Sequence, residues 1–169
     1  MPFPSSGQAG VMLTNTYASG TTPPMTTGTT VTATEGGEYV MVRATSTIAQ
    51  FDAVIIINTS SATGASIGCV PVTTTNALTS QRLAFAQTAI TSGDFGWVAT
   101  KGNNLRVKTL IACQPAVPLY TTATAGSLDD AIVSAGYCLG VVLMSSATSA
   151  SAPPCVVGNA VLGYWSGLT

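Results

Sequence analysis

The sequence predicts an all-β protein, a single antiparallel β-sandwich or barrel of jelly-roll type with about eight or nine strands and an extended N-terminal arm. Val, Ile and Thr, which favour strands, account for 51 of the 169 residues. Short apolar runs recur roughly every ten residues between turn-forming residues, a spacing typical of sandwiches and barrels. Only one short segment, 128–135, has residues suited to a helix.

The N-terminal arm comprises residues 1–34, where Gly, Pro, Ser and Thr dominate and the apolar residues follow no period. Pro23 and Pro24 exclude a helix in this region, because proline lacks the amide hydrogen and restricts the residue before it. The arm is either a disordered tail or an extended segment that gains structure by lying on a neighbouring subunit, and the second interpretation is favoured. The β-domain is predicted to comprise residues 35–169.

Two patterns predict the first strands of the β-domain. Residues 39–44 alternate, so Tyr39 and Val40 point to opposite faces of a strand. Residues 54–57 are four apolar residues without alternation, which indicates a strand covered on both faces. Further strands are predicted at 65–72, 82–87, 95–101, 105–113, 117–120, 138–144 and 155–164.

Turn residues define the connections between these strands. The stretch Lys-Gly-Asn-Asn at 101–104 joins two predicted strands, and Gly and Asn tolerate the positive φ of a tight turn, so 95–113 is predicted to be a hairpin. Ser127 is a candidate cap for one helical turn within 128–135. Residues 145–154 are small and end in two prolines, which predicts a solvent-facing loop.

The chain carries little charge. Charged residues make up 7% of it and the formal net charge is −1, whereas charged residues usually make up about 25% of a soluble domain. The cationic residues are scattered, so we expect no nucleic-acid partner. No apolar run approaches the ~18 residues of a membrane span, and the first residues do not resemble a signal peptide. We expect a soluble chain made in the cytosol, without a membrane partner, whose surface is partly covered by another protein.

We expect no enzymatic activity, because the chain has no histidine. Without an imidazole, the common Ser-His and Cys-His nucleophile pairs and histidine metal ligands are excluded. The nucleophile-elbow letters at 64–68 lead into a predicted strand instead of a helix, and Asp-Phe-Gly at 94–96 lacks the other kinase motifs. Asp129 and Asp130 are predicted to be solvated loop charges. We therefore expect no catalytic residue, no cofactor, no metal and no small-molecule substrate.

The four cysteines stand far apart, without the paired spacing of a zinc or redox site. Each has apolar, strand-like neighbours, and in such surroundings a thiol packs as a small hydrophobic group. Buried free thiols are the favoured interpretation, and two disulfides formed late in an oxidising medium are the alternative. The residues are Cys69, Cys113, Cys138 and Cys155.

Three aromatic residues are candidates for a binding surface, since aromatic rings on a β-scaffold stack well on sugars. Trp97 lies within a predicted strand, which favours a position in the core or in a subunit interface. Tyr164 and Trp165 lie close to residue 169. An aromatic pair in that position either fixes the last strand to the core or inserts into a partner.

Four segments carry a resemblance to a known family. They are Gln-Phe-Asp-Ala-Val at 50–54, Phe-Ala-Gln-Thr-Ala-Ile-Thr-Ser-Gly-Asp-Phe-Gly-Trp-Val at 85–98, Pro-Leu-Tyr-Thr-Thr-Ala-Thr-Ala-Gly at 118–126 and Leu-Gly-Val-Val-Leu at 139–143. Their order resembles the small head proteins of tailed bacteriophages called capsid decoration, cement or head-stabilising proteins. The resemblance covers approximately residues 38–164 and leaves the arm outside.

The resemblance implies a β-domain that assembles, often as a homotrimer, on the outer surface of an expanded capsid and bridges neighbouring major capsid proteins. It implies a location in the virion and no active site. The features that carry over are structural: Gly93 and Asp94 in a turn, Trp97 and Val98 in the following strand, and a strand with its turn at 120–126. Sequence patterns alone predict the residues that contact partners, which are Pro23, Pro24, Met25, Trp97, Tyr164 and Trp165.

Two other functions stay open. One is a receptor- or carbohydrate-binding module of a virion fibre, using Tyr137, Tyr164 and Trp165. The other is a structural protein of head fibres, of a tail or of the capsid shell itself. Saturable sugar binding by the free protein would favour the first, and self-assembly into closed particles would favour the second.

Overall fold

The computed structural model describes residues 12–33, 35–61, 64–77, 81–131 and 136–163. It confirms the all-β class, because these residues form ten strands and no helix. The sequence predicts eight or nine strands, and β1 and β8, with three and two residues, are too short to show a hydrophobic pattern. The strands are β1 (Thr30–Thr32), β2 (Glu38–Ala44), β3 (Ala53–Ser61), β4 (Gly64–Pro71), β5 (Leu83–Ala86), β6 (Phe95–Arg106), β7 (Leu119–Thr121), β8 (Leu128–Asp129), β9 (Tyr137–Leu143) and β10 (Pro154–Gly163).

Five strands close into a barrel in the order β2-β4-β3-β5-β6, and β6 pairs back onto β2. Every pair in this ring is antiparallel except β2 with β4, which is parallel. The prediction of a wholly antiparallel sheet is wrong at this pair. The reason is topological: five strands that close on themselves cannot alternate in direction all the way round, so at least one pair must be parallel.

Small and β-branched side chains fill the inside of the barrel. Alternate residues of each strand point inward, and Val42 of β2, Val54 of β3 and Val98 of β6 are fully buried there. Ile90 precedes β6 and packs against Gly96, where a Cβ would lie only 2.6 Å from the Ile90 Cδ1 atom. A glycine at this position therefore leaves the space that the isoleucine occupies.

Strand β6 continues beyond the barrel, and its second half begins another sheet in the order β6-β10-β9-β7-β8. The hairpin predicted at 95–113 is wrong, because β6 runs as one strand from Phe95 to Arg106. Gly102 and Asn104 do have positive φ angles, 156° and 59°, but they lie in a bulge opposite β10. A bulge bends a strand, and this one directs β6 from the barrel into the second sheet.

The main core lies between the outer wall of the barrel and the inner face of the second sheet. From the barrel it includes Trp97, Phe85 and Met41, which are among the largest fully buried side chains. Buried Leu143 of β9 and Leu162 of β10 belong to the same cluster. Apolar burial therefore holds the second sheet against the barrel.

The described part of the arm lies on the barrel of its own chain. Leu13 and Val31 are buried in the main core, and β1 pairs with β2. The amide of Tyr17 donates to the Phe95 carbonyl at 2.9 Å, and the Phe95 amide donates back at 2.8 Å. The division of the chain at residue 34 stays a prediction, and residues 1–11 lie outside the described part.

The helical turn predicted at 128–135 is wrong for its described residues, since Leu128 and Asp129 form β8. The Leu128 amide donates to the Lys108 carbonyl and the Leu128 carbonyl accepts from the Leu110 amide, so both groups pair with the segment that follows β6. Residues 132–135 lie outside the described part of the chain. The loop predicted at 145–154 is largely exposed, although Ala147 within it is buried.

Candidate docking surface

Large exposed apolar side chains gather in one region. Four of the five in the described part of the chain lie on β9, on β10 or at the residue after β9. The fifth, Ile111, lies in the loop whose Ala116 amide donates to the Leu143 carbonyl at the end of β9. Their exposed fractions run from 38% for Val156 to 66% for Ile111. The five are Ile111, Leu139, Val142, Met144 and Val156.

Apart from Ile111, which lies in a loop, these side chains lie on the outward face of the second sheet. Val142 lies directly opposite Val156, and Leu139 lies directly opposite Val161. The residues that alternate with them, including Val141, are buried on the inward side. We call the outward side chains the apolar face, and they are Leu139, Val142, Met144, Val156 and Val161.

A bulge explains why Leu139 and Val142 share a face although they are three residues apart. The pairing of β9 with β10 shifts at this point, and Gly140 has a φ of 79°. A Cβ at Gly140 would lie 2.8 Å from the Gly158 carbonyl oxygen, so the position requires glycine. The irregular residues reset the alternation, which turns both apolar side chains outward.

Tyrosines and opposite charges border the apolar face. Tyr120 of β7 lies opposite Tyr137 of β9, with ring centroids 5.7 Å apart. On its other side Tyr120 lies opposite Asp129 of β8. On the other side of the face, Arg106 of β6 lies opposite Pro154 of β10, and exposed Arg82 bridges to Val161. The sheet therefore has an anionic border at β8 and a cationic border at β6.

No charged residue occurs from position 131 to position 169, and β9 and β10 both come from this stretch. An apolar surface without charge is unfavourable in water and favourable in contact with protein. The apolar face is therefore the candidate docking surface. Sequence reasoning missed it, and the gap in the charge distribution after Asp130 is the signal that could have found it.

The structure places the predicted contact residues at separate positions. Trp97 lies in the core, with 2% of its surface exposed, so it offers almost no area to a partner. Pro24 is exposed, and Pro23 and Met25 beside it are half-buried. Met25 packs against the main core. Tyr164 and Trp165 lie outside the described residues.

Cys113, Asp129 and Asp130 form a small cluster, with one potential ligand atom from each lying within 4.8 Å of the others. The Cys113 Sγ lies 3.4 Å from the Asp129 Oδ1, and the Gln114 amide donates to Asp130 at 2.9 Å. Burial raises the pKa of Cys113 to about 11. The thiol therefore keeps its proton at neutral pH and donates it in a hydrogen bond, so the cluster links the loop that contains Cys113 to the end of β8. Both carboxylates are half-buried, in contrast to the solvated charges predicted.

All four cysteines are free and buried, as the favoured interpretation predicted. Burial raises the pKa of Cys69, Cys138 and Cys155 to about 12, because a thiolate is poorly solvated in an apolar interior. A thiol of this kind is unreactive in the folded protein.

We expect the free energy of unfolding to fall as the pH rises from about 9 towards 12. Unfolded thiols, with a pKa near 9.0, lose their protons in this window, whereas folded thiols retain theirs, so the unfolded state gains stability. Each such thiol lowers the free energy by up to about 1.4 kcal/mol per pH unit. Urea unfolding at pH 8 and pH 10 measures the effect. Replacing Cys69 and Cys138 with alanine should reduce it, and an unchanged pH dependence in that variant would contradict this origin.

In the described ranges, no helix has the length and apolarity that a membrane crossing requires.

A scan against protein-family models and a search of curated proteins each found no match. A similar solved structure is the head fiber gp8.5 N base in bacteriophage phi29, which is 13% identical in sequence. The similarity covers 75% of this chain and 98% of that chain, with a TM-score of 0.48. Similarity of this extent assigns neither a family nor a function.

Proposed function

We propose that this chain is a virion structural protein, a capsid decoration or cement protein that binds the outer surface of a phage head. It stabilises contacts between major capsid proteins and catalyses no reaction. The observation that carries the proposal is the exposed apolar face on a chain with very few charges, which supports a role in assembly with other protein surfaces, copies of this chain included. The resemblance of residues 38–164 to decoration proteins gives the proposal its particular form.

Adhesion of this kind needs contact area and no reactive groups. A standard protein contact removes about 1,600 Å² from water. At ~25 cal/mol per Å², this is worth on the order of 40 kcal/mol before ordering and desolvation costs if the contact is mostly apolar. A homotrimer, which we propose as the assembled form, would engage several capsid subunits at once, so individually weak patches would hold firmly.

We propose that the arm supplies part of the contact with the capsid. Pro24 is exposed, with exposed threonines on both sides of the Pro-Pro-Met segment. Proline limits the conformations of this segment before binding, which reduces the entropy lost on contact. The Tyr164 and Trp165 region is the second proposed contact.

We expect Pro24→Asp to weaken binding to heads roughly tenfold, or ~1.4 kcal/mol, since it places a charge in the proposed contact. Thr47→Asp, at an exposed site between β2 and β3, is the matched control. Sedimentation of each variant with heads measures the difference. Deleting residues 1–34 would also remove buried Leu13 and Val31, so a point substitution is the cleaner test. Equal binding by the two variants would exclude this arm contact.

The test of the proposed function is to mix the purified protein with undecorated, expanded heads and to sediment them. We expect saturable co-sedimentation with a fixed number of chains per capsid subunit. Protein that stays in the supernatant at all concentrations would refute the proposal. Unexpanded heads are the control for the surface that is bound.

The half-buried pair of Tyr120 and Tyr137 favours one second candidate, a carbohydrate- or receptor-binding module of a virion fibre. Two adjacent rings at the border of a sheet offer stacking surface to a sugar. A glycan array and a fluorescence titration of the free protein test it. Saturable sugar binding without head binding would favour this candidate over the decoration protein.

A further inference from the structure

We infer that the apolar face binds a second copy of this chain, with the β6 border of one copy beside the β8 border of the next. The inference rests on the homo-oligomer of the proposed function and names the surface that would form it. It concerns contacts between copies, and the arm contacts proposed above concern the capsid.

The charge pattern across the second sheet is complementary to itself. Arg106 of β6 lies on one side of the apolar face, as does exposed Arg82, which bridges to Val161, and Asp129 of β8 lies on the other side. The strands between β6 and β8 carry no charge. When the cationic side of one copy meets the anionic side of another, opposite charges face each other and the uncharged centres pack together. Such an arrangement avoids the like-charge contacts that oppose self-association.

Both border charges are available for such a contact. Arg106 is exposed and donates from its Nη1 atom to the Ala152 carbonyl at 3.1 Å. Asp129 is half-buried, and its Oδ1 accepts from the Asp130 amide at 2.9 Å and from the Cys113 thiol at 3.4 Å, which leaves its Oδ2 for a partner. In the part of the chain that the structure describes, neither side chain forms an ion pair, and the two ion pairs there are Lys101 with Glu38 and Lys108 with Asp52.

The composition of the face also favours a copy over a charged partner. Its centre contains Val, Leu and Met side chains and the uncharged Asn159 of β10, beside the tyrosine pair. A residue near the rotation axis of a symmetric oligomer meets its own equivalent, so an uncharged centre suits symmetric contact. Apolar and aromatic side chains are also those that protein interfaces concentrate in their buried centres.

The experiment measures the mass of the full chain by light scattering over a range of concentrations, without heads. We expect the native chain to form an oligomer and Val142→Lys to weaken self-association at least about tenfold, because a lysine would be desolvated in the contact. Thr47→Lys, at an exposed site outside the sheet, is the matched control and should leave the mass unchanged. Urea unfolding of each variant verifies that it is folded.

Charge reversal tests the arrangement of the copies. We expect Arg106→Glu and Asp129→Lys each to weaken self-association, because each places like charges together across the contact. The double variant should restore it, since the opposite charges are then exchanged. Restoration distinguishes contact between copies from docking on a capsid, whose own charges would not change.

A native chain that is monomeric at every concentration would overturn the inference, and so would an oligomer that persists in the folded Val142→Lys variant. Single reversals without effect, or a folded double variant that is no better than the single ones, would overturn the proposed arrangement of the borders. Head binding is measured separately, so an oligomer that does not bind heads would refute the proposed function and leave this inference intact.

Discussion

Trp97→Ala is expected to lower the free energy of unfolding by about 3 to 5 kcal/mol, the usual cost of truncating a buried tryptophan. The side chain is 2% exposed and belongs to the main core between the barrel and the second sheet. Removing the indole ring would leave a cavity where these two layers meet. Urea unfolding followed by circular dichroism measures the change.

Trp97→Phe is the matched control for this substitution. The Trp97 Nε1 atom is buried without a hydrogen-bond partner in the described structure, so phenylalanine removes volume and no hydrogen bond to a described residue. We expect it to cost clearly less than alanine. An unchanged unfolding midpoint in Trp97→Ala would mean that the ring is not part of the core.

Gly126→Ala is expected to cost about 3 kcal/mol or more, because two effects act together. Gly126 has a φ of 72°, which is unfavourable for alanine. A Cβ there would also collide with the carboxyl group of Asp52. That carboxylate is 5% exposed, accepts from the Ala49 amide at 2.8 Å and pairs with the Lys108 Nζ at 3.2 Å. Displacing it would break both interactions.

Gly158→Ala is the control for this second prediction. Gly158 has open space around the position of a Cβ and no positive φ, so alanine should change stability by less than about 0.5 kcal/mol. Urea unfolding of the two variants measures the difference directly. Equal stabilities would show that the contact between Gly126 and Asp52 does not constrain the fold.

The strands were predictable where a pattern marks them. Alternation at 39–44 and the apolar run at 54–57 correspond to β2 and to the first half of β3. Both kinds of pattern arise from local burial, so a single sequence contains them. The parallel pair of β2 and β4 was not predictable, because it follows from the closing of the barrel and not from any local signal.

The residues at 101–104 show a second limit. Gly and Asn at these positions predict a turn because they accept positive φ, and Gly102 and Asn104 do have positive φ. The same backbone preference serves a bulge, and only the pairing partner decides between the two. Here β10 lies alongside, so the chain bends and continues as β6.

The candidate docking surface was hidden for a similar reason. The bulge of β10 opposite Gly140, together with the positive φ of Gly140, places Leu139 and Val142 on the same side, which simple alternation along β9 would not predict. The sequence predicts aromatic contact residues, yet Trp97 is buried and the exposed residues of the face are aliphatic. Which of these aromatic and aliphatic side chains are buried depends on the packing of the whole second sheet, and no local sequence pattern records it.

Imaging heads mixed with the purified protein tests the account most directly. We predict density at regular positions on the outer surface, each bridging neighbouring major capsid proteins, with copies of the chain joined through the apolar face. Heads with a bare outer surface at saturating protein, or the same amount of bound density with Val142→Lys and Pro24→Asp combined, would contradict it.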